Sequence, residues 1–210
     1  DTDGAPEPPV HQPRSADDAN AGTRYRIDGE IARGGMGVVL KGRDPDLGRD
    51  LALKVLREDF RDHPEMIRRF IEEAQIAGQL QHPGVVPIYE MGALADRRPF
   101  FTMKLVKGDT LAKLLAGRKG PGEDRARFLS TFEAIARTIA YAHARGVIHR
   151  DLKPSNVMVG AFGEVQVMDW GLAKVLARGG IADDAQAGRV AKDETVIATA
   201  RSGSRDDSDL

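Results

Sequence analysis

The sequence predicts an α+β fold, and three observations carry that prediction. Short apolar runs separated by glycines and turn residues fill much of the first half of the chain, which is the pattern of hairpin-connected strands. Two longer stretches repeat apolar residues at helical spacing, one running to Leu80 and one from Phe128 to His143. After the second of these, Val157-Met158-Val159 and Val165-Gln166-Val167-Met168 flank Gly160 and Gly163 and read as a further β-hairpin.

Bulk properties narrow the function classes. A length of 210 residues suits one or two domains, and 41% apolar residues suffice for a core. A net charge of -1 gives no case for a nucleic-acid or membrane partner. Cysteine is absent, which excludes disulfides and thiolate metal sites and fits a reducing, cytoplasmic setting. The 5 histidines show no metal-ligand spacing. No apolar run is long enough to span a bilayer, and no signal peptide is visible. The chain starts at Asp1, so it is expected to be a fragment.

Taken in order, residues 1–23 are proline-rich without period and read as a disordered arm. Tyr25-Arg26-Ile27 and the stretch Ile31 to Lys41 suggest two strands joined by a turn containing Gly34, Gly35 and Gly37. Glycines there let backbone N–H groups approach a ligand and point at phosphates. Asp44 to Gly48 is a turn, and Leu51-Ala52-Leu53-Lys54-Val55-Leu56 is an apolar strand with one lysine inside it. A lysine in such a strand needs a partner or an outlet to water. Asp62 is expected to cap the first helix, with Pro64 in its first turn and Glu65 three residues on. Met66, Phe70, Ala74, Ala77 and Leu80 give that helix one apolar face, and Glu73 stands at its edge.

His82-Pro83 ends the helix, and Val85-Val86 is expected to start a strand. Ile88 to Met91 and Phe100 to Met103 read as two strands joined at Asp96 to Pro99. Asp109 is expected to cap a short helix through Leu111, Leu114 and Leu115. In the second long helix Phe128, Phe132, Ile135, Ala136, Ile139, Ala140 and His143 are expected to share the buried face, with His143 packed at its end. That helix leads to His149-Arg150-Asp151-Leu152-Lys153-Pro154-Ser155-Asn156. Asp169-Trp170-Gly171 follows thirteen residues after Asn156. Asp151 can accept a proton, Lys153 can reach a phosphoryl oxygen, and Asn156 and Asp169 are hard oxygen ligands that suit Mg²⁺. Residues 178–210 turn polar, with few large apolar groups, and are expected to be disordered.

These two loops resemble the catalytic loop and magnesium loop of eukaryotic-type protein kinases, H-R-D-L-x-x-x-N followed by D-F-G. Lys153-Pro154 resembles the serine/threonine branch. The resemblance runs over roughly residues 25–176 and includes a glycine loop with Ala32 at the first glycine position. It implies a bilobal fold, with a small antiparallel β-rich N-lobe over 24–103 and the hinge and partial, mainly helical C-lobe over 104–176. Residues 177–210 would begin an activation segment, leaving the C-lobe truncated, so the chain by itself is expected to be inactive.

By the same resemblance the reaction is phosphoryl transfer from Mg-ATP to a Ser or Thr hydroxyl of a protein. ATP would lie against Ile31, Gly34, Gly35, Gly37, Val39, Ala52 and Lys54, with Met103 guarding the back pocket and the backbone of Lys104, Leu105 and Val106 meeting adenine. Glu73 would pair with Lys54. Asn156 and Asp169 would hold Mg²⁺, and Asp151 and Lys153 would serve the transfer itself. Arg150 would dock a phosphorylated residue, for which Thr195, Thr199, Ser202 and Ser204 are candidates. Trp170 stands where the family usually has phenylalanine, and is expected to fill volume left by Ala77. A nucleotide-binding fragment or pseudokinase-like scaffold without phosphotransfer is the alternative reading.

Overall fold

The computed structural model describes residues 24–176 together with Ile197. The expectations of disorder over 1–23 and, apart from Ile197, over 178–210, and the four candidate phosphorylation positions, fall on residues outside those described; Ile197 itself is buried.

A five-stranded antiparallel sheet forms the first half, in the order β1-β2-β3-β5-β4. Its strands are β1 (Arg26–Arg33), β2 (Gly37–Asp44), β3 (Arg49–Leu56), β4 (Ile88–Ala93) and β5 (Pro99–Lys104). Central strands β3 and β5 are buried almost throughout, whereas β4 alternates half-buried and exposed and β1 is exposed along its length. Fully covered central strands read as apolar runs and edge strands do not. The start of β1 is pinned by Tyr25, which is buried edge-to-face on Phe100 and donates its hydroxyl to Glu90.

Helix α1 (Pro64–Gln79) packs across this sheet through Phe70, Ala74 and Ala77. Proline opens the helix as expected, since its missing N–H is one that the first turn leaves unbonded anyway. The cap, however, is His63 in extended conformation without a side-chain hydrogen bond, not Asp62, whose exposed carboxylate pairs with Arg61. Burial of the apolar face therefore holds this end of the helix without a carboxylate cap. A second correction concerns Val85-Val86. Both are buried, but Val85 makes only an isolated bridge to Val167, because the chain is crossing between the two halves there.

The second half holds α2 (Leu111–Ala116), α3 (Arg125–Ala144) and short strands. Strand β6 (Gly108–Thr110) pairs with β8 (Val157–Gly160), and β8 with β9 (Val165–Val167), which confirms the expected hairpin. Strand β7 (Val147–Ile148) pairs with β10 (Lys174–Val175). The cap of α2 is Thr110, which accepts from Lys113 N at 3.2 Å, whereas Asp109 instead binds the Lys113 ammonium at 2.5 Å.

Helix α3 buries only part of the face expected: Ile135 is buried and Phe128 and Ile139 are half-buried, but the rest of the buried face is rotated. Thr131, Ile135, Thr138 and Ala142 are buried, while Phe132, Ala136, Ala140 and His143 are exposed. Close approach decides this. A Cβ on Gly84 would lie 1.9 Å from Thr138 Oγ1, so the helix meets the crossing segment through small side chains. Gly84 is held there by its N–H to His82 Nδ1 at 3.0 Å and by its carbonyl, which accepts from Val167 N at 2.7 Å. Ala77, Ile135, Val147, Val157, Val167 and Trp170 then form one buried cluster that joins α1, α3 and the hairpin, so Trp170 and Ala77 do share a core.

Gly84→Ala should therefore lower stability by about 1–3 kcal/mol through overpacking. Adding Thr138→Ala removes the 1.9 Å clash and leaves contacts of 3.0 Å to the residue-138 Cβ and 3.1 Å to His82 Nδ1. The double variant should recover much of the loss in chemical denaturation, and equal, additive losses would show that the two residues do not compete for this space.

Candidate functional site

Three elements converge between the two halves. Strand β3 contributes Lys54, helix α1 contributes Glu73, and the segment after β9 contributes Asp169. Lys54 Nζ lies 2.5 Å from Glu73 Oε1 and 4.0 Å from Asp169 Oδ1. The lysine and glutamate side chains are nearly buried, at 13% and 6% exposure, while that of Asp169 is 52% exposed. Burial pushes the Glu73 carboxyl above its ordinary range, and the Lys54 ammonium pulls it back. A pair of charges at this depth persists only because each is matched.

The lysine stem needs room, and Gly37 supplies it. A Cβ there would sit 3.2 Å from Lys54 Cε and 3.1 Å from the Val55 carbonyl oxygen. Gly34 N donates to Gly37 O at 2.9 Å and closes the turn before β2. Gly34, Gly35 and Ile31 are exposed. Below the turn, Val39, Ala52, Met103, Leu105, Val106 and Met168 belong to one apolar cluster. That is the chemistry of a slot for a flat apolar ring. The Lys104 N–H is donated to Pro87 O at 3.1 Å.

The polar loop after β7 forms a second focus. Asp151 Oδ2 accepts from Lys153 Nζ at 2.7 Å and from Asn156 Nδ2 at 3.0 Å. Asn156, itself buried, also donates to the Asp151 carbonyl at 2.9 Å. Both side-chain bonds end on Oδ2. The hydrogen bond from Lys153 holds the Asp151 carboxyl below its ordinary range, and Asp151 in turn raises Lys153. The two foci are tied by backbone, since Met168 N donates to Asn156 O at 2.8 Å.

Sequence reasoning gave no role to His149, yet it organises this loop. It is 2% exposed and its Nε2 donates to the Met168 carbonyl at 2.9 Å. Nδ1 accepts from Asp151 N at 3.3 Å, and the ring packs on Trp170 at 4.6 Å between centroids. The available signal was a histidine directly after an apolar strand. Arg150 and Asp169 have φ of 64° and 60°, in the left-handed region that non-glycine residues seldom adopt. Such conformations persist where surrounding contacts over-determine them, and they cluster at functional sites. At Arg150 one such contact is Nε donating to Leu172 O at 2.6 Å.

An antiparallel five-stranded lobe over a helical part, with a strand lysine held by a helix glutamate above two polar loops, defines the bilobal protein-kinase class of fold. The family described as "Protein kinase domain" matches residues 25–190, and the chain belongs to that family. It is 40% identical over 162 residues to "Serine/threonine-protein kinase PknD" of Protochlamydia amoebophila (strain UWE25), covering 72% of this chain and 16% of that protein. The proteins of that name in Chlamydia pneumoniae and Chlamydia caviae are 42% and 43% identical over 160 residues, each covering 71% of this chain and 17% of theirs. The chain thus spans about a sixth of the length of these curated relatives.

The Asp151–Lys153 contact sets a pH dependence. A depressed folded-state pKa contributes stability that is present above the unfolded value and lost as pH falls through the folded one. Lys153→Met should therefore move the Asp151 titration upward, toward the ordinary carboxylate value, and flatten the acid side of the stability curve. Carbon-13 NMR of the Asp151 carboxyl checks this, and an unchanged midpoint in the variant would rule out Lys153 as the cause.

Proposed function

We propose that the chain supplies the catalytic residues of an ATP-dependent protein serine/threonine kinase. The observation that carries the proposal is the Lys54–Glu73 contact at 2.5 Å, with Asp169 4.0 Å from the same ammonium. It brings a fixed cation and a half-exposed carboxylate to one point. The relatives' printed name, serine/threonine-protein kinase, supports the acceptor class. In this reading the lobe boundary falls between Met103 and Lys104, and the protein works in the cytoplasm. Among the described residues no helix is long and apolar enough to cross a membrane.

The donor set fits a hard divalent cation, because Asp169 presents a half-exposed carboxylate and Asn156 a side-chain amide oxygen. Mg²⁺ held by Asp169 and Asn156 would supply neutralisation of phosphate charge. The chain's own groups do the rest. The apolar cluster around Ala52 and Met103 takes the adenine, and the turn from Gly34 to Gly37 lets backbone approach the phosphates without a side chain intervening. Lys54, prevented from wandering by Glu73, orients the phosphates.

Asp151 Oδ1 receives the proton of the acceptor hydroxyl as its oxygen bonds to the γ-phosphorus. The bond from that phosphorus to the bridging oxygen breaks and ADP leaves. Lys153 and Asn156 hold Asp151 by Oδ2, so the carboxylate meets the acceptor in one orientation. Lys153 also offsets charge on the moving phosphoryl group. Catalysis of this kind is positioning and electrostatics more than covalent chemistry.

The test is transfer of radiolabelled γ-phosphate to a mixed Ser/Thr protein acceptor. Asp151→Asn should retain nucleotide binding and reduce transfer roughly a hundredfold to ten-thousandfold. Lys54→Met should reduce both. Nucleotide binding without any transfer by the unmodified protein would favour a regulatory scaffold instead, and near-unmodified transfer by Asp151→Asn would sink the assignment of that residue.

A further inference from the structure

Met36 is the one large apolar residue in the glycine turn between β1 and β2. Its neighbours Gly34 and Gly35 are exposed, but Met36 is half-buried. The reason lies across the cleft at Gly171. The point where a Gly171 Cβ would sit is 3.2 Å from Met36 Cε, 3.0 Å from Glu73 Oε2 and 3.3 Å from Asp169 Oδ1. The missing side chain of Gly171 thus leaves a notch in which a thioether methyl, a buried carboxylate oxygen and a loop carboxylate meet. Glu73 Oε2 is buried and, among the described residues, has no hydrogen-bond partner, while Oε1 is taken by Lys54. The backbone of the turn is fastened as well. Arg57 N donates to Met36 O at 3.0 Å, and Arg57 Nη1 to Gly35 O at 3.4 Å.

We propose that Met36 is a positioning residue that latches the glycine turn onto the Asp169–Gly171 segment and keeps water from Glu73 Oε2. The inference rests on the kinase reading above and adds a residue to it. Glu73 with one oxygen dry and unpaired directs its charge to Lys54 through a low-dielectric surround, where the attraction is strong. Admit water to Oε2 and that attraction is screened, so Lys54 is held less firmly for the phosphates. A latched turn is also already ordered, which lowers the cost of ordering it when nucleotide binds. Methionine suits the notch because it is unbranched, flexible and apolar. Leucine can preserve the cover, whereas alanine leaves the oxygen open.

The experiment compares the unmodified chain with Met36→Ala and Met36→Leu. Transfer kinetics with varied Mg-ATP are read beside calorimetric affinity for the non-hydrolysable Mg-AMP-PNP and beside the thermal midpoint. Met36→Ala should raise the KM for ATP and weaken the analogue roughly two- to tenfold with an unchanged thermal midpoint, and Met36→Leu should restore both. Equal KM and affinity in Met36→Ala would overturn the proposal, as would a fall in kcat and stability with KM unmoved, or a Met36→Leu variant that behaves like alanine. If the unmodified chain binds the analogue but transfers nothing, the kinase reading fails on its own, and the calorimetric comparison still decides the role of Met36. If it binds no nucleotide, both fail.

Discussion

The contact between Lys54 and Glu73 is the constraint on which the rest of the structure depends. Two side chains nearly out of water carry charge, and burying either alone would cost several kcal/mol. Each must therefore find the other, and this fixes geometry at a distance. Strand β3 must lie at the centre of the sheet so that Lys54 points beneath it, and its pairing with β2 and β5 sets that place. Helix α1 must lie against the sheet at the turn that brings Glu73 inward, which Phe70, Ala74, Ile76 and Ala77 secure by burial on the same face. Raised by desolvation and drawn back by the lysine, the Glu73 carboxyl is a charge kept in place by its partner.

The lower focus is built on the opposite principle, hydrogen bonding near water. Asp151, Lys153 and Asn156 hold one another at ordinary hydrogen-bond distances, and none depends on deep burial of charge. What places them is the buried ring of His149, which reads the Met168 carbonyl with one nitrogen and the Asp151 N–H with the other. A single imidazole thereby sets the spacing between the loop that ends in Asn156 and the one that begins at Asp169. Trp170 packs on that ring and also donates Nε1–H to Val167 O at 3.3 Å, so the core beneath the site and the site itself share residues.

Much of this was legible in the sequence, for identifiable reasons. The strands announced themselves by apolar runs cut at glycines, and α1 by its spacing and its opening proline. Lys54 was conspicuous as a lone charge in an apolar strand. Residue types on two loops gave the rest of the candidate set, Asp151, Lys153, Asn156 and Asp169. Legibility failed where tertiary contact overrode local pattern. Part of the α3 face was misread because apolar content marked Phe132 and Ala136, while close approach to Gly84 selects the small Thr138. Caps at Asp62 and Asp109 were misplaced by one residue: Thr110 takes the Lys113 N–H in place of Asp109, and α1 opens at His63 with no side-chain cap at all. Left-handed backbone at Arg150 and Asp169 left no trace in composition, because neither is a glycine. The covering role proposed for Met36 joins residues far apart in the chain, a proximity that no local pattern encodes.

The central claim is that Glu73 matters to the nucleotide only through Lys54. A double-mutant cycle measures that directly, with calorimetric affinity for Mg-AMP-PNP determined for the unmodified chain, Lys54→Met, Glu73→Gln and the double variant. If the pair acts as one unit, the double variant binds about as weakly as Lys54→Met alone, and the coupling is about 1 kcal/mol or more. Additive losses, with coupling near zero, would mean that Glu73 and Lys54 act independently and would contradict the account.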